Sequence, residues 1–163
     1  FADGEGPLYE GPALESTQLE MICSDNGVVK YTFTAKKALH YENGDKTYPE
    51  GVSLAFYQAD QEGATEPKIS VTGRANSAYY WSEKKLYEFR GDVEIKSLRE
   101  KKQLNTDMLY FDPEADTFYT DKFIRIETEH DMLTGEGLTA KRDLSHYSVP
   151  KPQGNFNVDS AAE

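Results

Sequence analysis

A single cysteine, Cys23, stands in a chain of 163 residues, so no disulfide can form within it. Such a lone thiol reads as a small core hydrophobe. Long apolar runs are missing too: no stretch approaches the roughly 18–20 residues that cross a bilayer. The three histidines, His40, His130 and His146, have no metal-ligand spacing and no cysteine partners. No Gly-x-Ser-x-Gly, phosphate loop or dinucleotide-binding glycine pattern occurs. Glu127, Glu129 and Asp131 form an acidic run without the spacing of a calcium loop, and it reads as a solvated face. Asp112 and Asp116 read as turn formers rather than a catalytic carboxylate pair. These absences point away from an enzyme and from any metal or cofactor. Phe1 stands where an initiator Met would be expected, so the sequence reads as a processed or shortened chain.

Positive charge is also scarce. Eighteen Lys and Arg face 29 Asp and Glu, a net charge of −11. An acidic surface repels phosphate backbones and anionic bilayers, which argues against nucleic acid as a partner and against lying on a membrane. Hydrophobic residues make up 37% of the chain, but 12% are aromatic, with 11 Tyr. Disordered chains lack such aromatics. Thin sheets with one dry face use them.

What is present is a repeated strand–turn–strand unit. Ala38–Phe56, Ala78–Ile95 and Met108–Ile126 each carry an alternating apolar pair, a polar turn and a second alternating run. Tyr41, Trp81 and Phe111 take equivalent places, as do Val52, Val93 and Ile124. Repetition of one hairpin predicts a stacked, quasi-linear β architecture. No window shows helical periodicity, so the expected class is all-β, solenoid-like or jelly-roll. Asn26-Gly27 predicts a tight hairpin turn between runs starting at Thr17 and ending at Phe33. Gly91 before Asp92 predicts a bulge, and Gly73, Gly135 and Gly137 predict breaks. A last short strand is expected over Leu144–Val149, closed by Pro150, Pro152 and Gly154. The expected organisation is a linker over 1–16, one β domain over 17–156 and a disordered tail over 157–163.

Alternation assigns a dry face. It groups Leu39 with Tyr41, Tyr79 with Trp81, and Leu109 with Phe111. Leu54 and Phe56 join Val52, while Val93 pairs with Ile95 and Ile124 with Ile126; Phe89 and Phe118 share their parity. Lys37, Ser53, Asp92, Glu94, Lys96, Arg125 and Glu127 fall on the wet face. The stripe fits either a self-filled core or a groove for alkyl chains, since each buried CH₂ contributes about 0.8 kcal/mol.

The repeat, with its Leu-x-Phe-Asp turn and Thr-Asp-x-x-Ile-x-Ile, resembles the OstA-like domains of lipopolysaccharide export. Thr134-Gly135-Glu136-Gly137-Leu138, Asp143-Leu144-Ser145-His146-Tyr147 and Gly154-Asn155-Phe156 resemble the closing segment of the LptC family. The Ser24–Gly27 hairpin and Tyr31–Ala35 resemble its opening strands. The resemblance spans residues 17–156. It implies a twisted, open V of antiparallel sheets with an apolar groove, and no enzyme. It implies a carrier that accepts lipopolysaccharide from an inner-membrane ABC transporter and passes it to an LptA-like periplasmic carrier. The lipid-binding groove would comprise Leu39, Tyr41, Leu54, Phe56, Tyr79, Trp81, Phe89, Val93, Ile95, Leu109, Phe111, Phe118, Ile124 and Ile126. The docking edge would comprise Leu144, Tyr147 and Val149. The expected place is the periplasm, tethered to the inner membrane by an anchor ahead of Phe1. The alternative is a β-solenoid scaffold with a closed core and no lipid.

Overall fold

The computed structural model describes residues 11–58 and 68–157. Twelve strands occupy most of them: β1 (Leu14–Asp25), β2 (Val28–His40), β3 (Lys46–Tyr48), β4 (Val52–Tyr57), β5 (Ile69–Ala75) and β6 (Ser77–Trp81), then β7 (Leu86–Ser97), β8 (Lys102–Asp112), β9 (Thr117–Glu127), β10 (Asp131–Lys141), β11 (Tyr147–Ser148) and β12 (Lys151–Asn157). All pairings are antiparallel, and no helix occurs among the described residues. Residues 1–10 and 158–163, most of the expected linker and tail, lie outside the described residues, as do 59–67. Pairing starts at Leu14, ahead of Thr17, and extends to Asn157.

The sheet runs β11-β10-β9-β8-β7-β5-β4-β2-β3-β6, with β1 on β2, β12 on β10, and β6 returning to β7. One edge of β7 therefore forks. Arg90 and its predecessors pair β6, while Glu94–Ser97 pair β5. The fork sits at the Gly91–Asp92 bulge, where both residues have positive φ (82° and 48°). Gly91 is required there twice over, because a Cβ would also lie 2.8 Å from the Asn76 side-chain nitrogen. On β2 the same division appears: Tyr31–Ala35 pair β4, and Leu39 and His40 pair β3.

Folding of this sheet on itself is visible in ring contacts. Phe56 on β4 and Phe118 on β9 are four strand steps apart, roughly 19 Å in a flat sheet. Their ring centroids are 6.0 Å apart. Tyr31 on β2 meets Phe111 on β8 at 6.2 Å, and Phe33 on β2 meets Tyr87 on β7 at 5.7 Å. Two walls thus face each other across one apolar seam.

Gly73 does not end its strand. It sits within β5, where a Cβ would come within 2.8 Å of Ile95 Cδ1, so the glycine lets Ile95 and Leu54 close over the backbone. Gly135 and Gly137 likewise lie inside β10. At Gly135 a Cβ would meet Val149 Cγ1 at 2.6 Å and the Lys151 carbonyl at 2.7 Å, so its bareness is what lets β12 dock. The expected closing strand at Leu144–Val149 shrinks to Tyr147–Ser148. The prolines that appeared to end it flank and enter β12, an outermost strand; Pro152 faces Gly135 at a register shift, where a missing N–H costs least.

Candidate functional site

The seam is lined by ten of the fourteen residues assigned to a lipid groove. Leu54, Phe56, Phe89, Val93, Ile95, Leu109, Phe111, Phe118, Ile124 and Ile126 are all buried in one apolar cluster with Phe33, Tyr48, Val71 and Leu104. Phe111 packs against Phe118 at 5.0 Å and against Phe56 at 5.4 Å. These edge and tilted geometries are those aromatic pairs favour. Burial raises the Tyr48 hydroxyl to a pKa of about 12, and it raises those of Tyr31 and Tyr87 further, so all three remain neutral donors.

The other four lie elsewhere. Tyr79 and Trp81 stand on the outward face, stacked on each other at 4.0 Å. Tyr79 donates to Asp45 Oδ2 at 3.1 Å, and Trp81 Nε1 donates to Glu88 Oε1 at 3.2 Å. Turn length is the physical reason. Trp81 pairs Leu86 across four loop residues, as Asp112 pairs Thr117, so Trp81 corresponds to Asp112 rather than Phe111. Tyr80, not Trp81, faces the seam. Leu39 is displaced similarly, because Ala35 and Ala38 both turn inward with two lysines between them, leaving Leu39 half-buried outside the cluster. Tyr41 lies beyond the end of β2, in the turn.

The outward aromatics form a band of their own. Cross-strand pairing sets Tyr79, Glu88, Tyr110 and Tyr119 side by side. Tyr110 and Tyr119 stack at 5.2 Å. Glu88 is only 3% exposed and pairs with Arg90. Nearby, Asp45 accepts from Ser82 N at 2.9 Å and from Ser82 Oγ at 3.1 Å. Burial alone would raise its pKa, but these bonds and that from Tyr79 outweigh it and hold the carboxyl below its ordinary range.

The docking edge expected at Leu144, Tyr147 and Val149 is only partly an edge. Leu144 is fully buried in the seam cluster, with a left-handed φ of 62°. Tyr147 and Val149 pack half-buried against the same cluster. The outermost strands are β1 at one end and β11 and β12 at the other. Cys23, expected in the core, is only half-buried, opposite Tyr31 on β2.

An open recess of about 340 Å³ lies where the seam meets the hairpin tips, lined by Tyr31, Tyr80, Lys85, Tyr87, Pro113 and Glu114. A larger hollow of about 470 Å³ beside β1 and β5 mixes Leu19 and Val52 with the charged Lys36, Glu50 and Arg74 at its edge. Among the described residues no group of His, Cys, Asp and Glu could hold a metal, and no helix is long and apolar enough to cross a membrane.

A family model for lipopolysaccharide-assembly, LptC-related proteins matches residues 12–148. The chain belongs to the LptC family. That membership agrees with the all-β architecture and assigns the chain to lipopolysaccharide transport, in a family that works in the periplasm in association with the inner membrane. No curated protein sequence matches the chain.

Proposed function

We propose that this LptC-family chain is a non-enzymatic carrier that holds the acyl chains of lipopolysaccharide between the two walls of its folded sheet. Its sugars point outward. It accepts the lipid from an inner-membrane ABC transporter and yields it to an LptA-like carrier. The observation that carries this reading is the seam itself: ten apolar side chains from β4, β7, β8 and β9 meet across two facing walls of a family member. The walls are tied by β3–β6 and β5–β7 pairing, and towards the free edges at β1, β11 and β12, where they meet by side chains, they can part without breaking strand hydrogen bonds. Handover by strand addition at the outermost strands suits a sheet that ends in β1 on one side and β12 on the other. Tethering by an anchor ahead of Phe1 would keep the carrier beside the transporter.

One observation favours a scaffold without lipid: Phe33, Phe56, Phe89, Phe111 and Phe118 are at most 1% exposed, so the seam is full as it stands. Photocrosslinking separates the two. A photoreactive residue at Ile95 or Ile124 should label with purified lipopolysaccharide, whereas one at Glu94, Arg125 or the outward Trp81 should not. Equal labelling at all five, or none from folded protein, would leave the scaffold.

A further inference from the structure

The segment joining β10 to β11 crosses the seam instead of skirting it. Leu144, at its centre, is 0% exposed within the apolar cluster. Its φ of 62° is a conformation that L-residues with a branched side chain rarely adopt. Two cations hold the segment from either side. Arg142 lies 5.3 Å over the ring of Phe56 and pairs with Asp116 at 3.6 Å, yet only 19% of its side chain is exposed. Lys102 donates to the Leu144 carbonyl at 3.3 Å, sits 5.1 Å over the ring of Tyr147 and lies 3.8 Å from Glu100 Oε1, a long ion pair that an anion could replace; it too is 19% exposed. Asp143 caps the turn by accepting from Ser145 N at 2.9 Å.

Resting on the carrier reading above, we propose that residues 143–146 are a displaceable plug, hinged at Arg142, whose backbone N–H stays bonded to the Asp116 carbonyl. Leu144 takes the place of an alkyl chain, and Arg142 and Lys102 become the site for the anionic, phosphorylated head of an acylated lipid once the plug moves. Three observations converge on this. Strained backbone persists where the surroundings force it, and here a buried leucine side chain is what the surroundings grip. Arg142 bridges the walls, since Phe56 belongs to β4 and Asp116 to the β8–β9 turn. In a chain of net charge −11, two poorly exposed cations at one segment are where an anion can be met.

The plug holds the seam shut in the empty protein and lowers its apparent affinity by the fraction that is open. Leu144→Ala should therefore raise uptake of the apolar dye N-phenyl-1-naphthylamine roughly tenfold. Should that variant not fold, Leu144→Asn keeps a residue that tolerates left-handed backbone. A variant-free measurement stands beside them: hydrogen exchange at the Leu144 amide, which donates to the Lys141 carbonyl at 2.9 Å, should accelerate when bisphosphorylated lipid A is added to wild-type protein. Arg142→Gln with Lys102→Gln should reduce the preference for bisphosphorylated over dephosphorylated lipid A roughly tenfold. Unchanged dye uptake and unchanged exchange, with Ile124 still labelled by lipopolysaccharide, would overturn the plug and leave the carrier standing. An unchanged preference in the double variant would overturn the head site. No labelling at Ile124 in wild type or Leu144→Ala would sink carrier and plug together.

Discussion

Two aromatic bands lie back to back in this sheet and have opposite physics. On the inward side Phe56, Phe111 and Phe118 pack ring against ring and are almost fully buried, with the Arg142 guanidinium over Phe56 as the one charged group at their margin among the described residues. On the outward side Tyr79, Trp81, Tyr110 and Tyr119 stack in pairs, and Tyr79 and Trp81 tie their polar tips to Asp45 and Glu88. The inward band has no hydrogen bonds to lose when the walls part. The outward band is anchored by them. A sheet built this way can open on one face while the other keeps the strands in register, which is what a carrier of long alkyl chains requires.

The largest expected effect tests the inward band. Phe118→Ala should cost about 3–5 kcal/mol in urea or guanidinium unfolding, from lost burial and a residual cavity. A loss below about 1 kcal/mol would mean that the seam closes over the gap, and the distinction between a packed inner band and a tethered outer one would collapse. Glu88→Ala comes next. It leaves the Trp81 indole N–H and Arg90 without their acceptor beneath the outer band, and should cost about 1–3 kcal/mol. The emission of Trp81, the single tryptophan, should shift in the same variant.

Much of this was legible from sequence where alternation was unambiguous. Val52, Leu54 and Phe56 face inward as their spacing implies, as do Val93 with Ile95 and Ile124 with Ile126. The Asn26-Gly27 turn and the Gly91 bulge fall where glycine marks them. Alternation fails where adjacent residues are equally greasy. Tyr79-Tyr80-Trp81 has no parity to read, and only the four-residue loop to Leu86 shows which ring turns inward. Tyr48 sits beside Pro49 in a three-residue strand too short to show a period, yet it packs edge-on against Phe33 at 4.7 Å. Leu144 is expected at an edge because the family resemblance puts the Leu144–Val149 strand at the docking end. Its left-handed backbone instead turns it into the seam, and nothing in a two-residue period can show that.

Acid should separate the two bands more finely. The Asp45 pKa is lowered in the folded state, so its contribution to stability is complete above the ordinary aspartate range and is lost as pH falls through the depressed folded value. The turn at residues 41–45 is tied by this carboxylate to Ser82, at the tip of the β6–β7 hairpin. Below about pH 4 wild-type protein should therefore lose part of its stability, and Asp45→Asn should lose less over the same range. An identical acid profile in both proteins would mean that the outer anchor does not rest on Asp45.

The smallest effect is the most diagnostic. Tyr119 is 37% exposed, and among the described residues its one ring contact is the stack on Tyr110. Tyr119→Ala should cost about 0.5–1 kcal/mol, the scale of one cross-strand pair, against several for its neighbour Phe118 one residue away. Since the two residues share a strand, a backbone and a hairpin, the ratio of their costs isolates the face from everything else. Comparable losses would show that the outer band is as much a core as the inner one. The sheet would then have no face free to open, and lipid would need a route other than the seam.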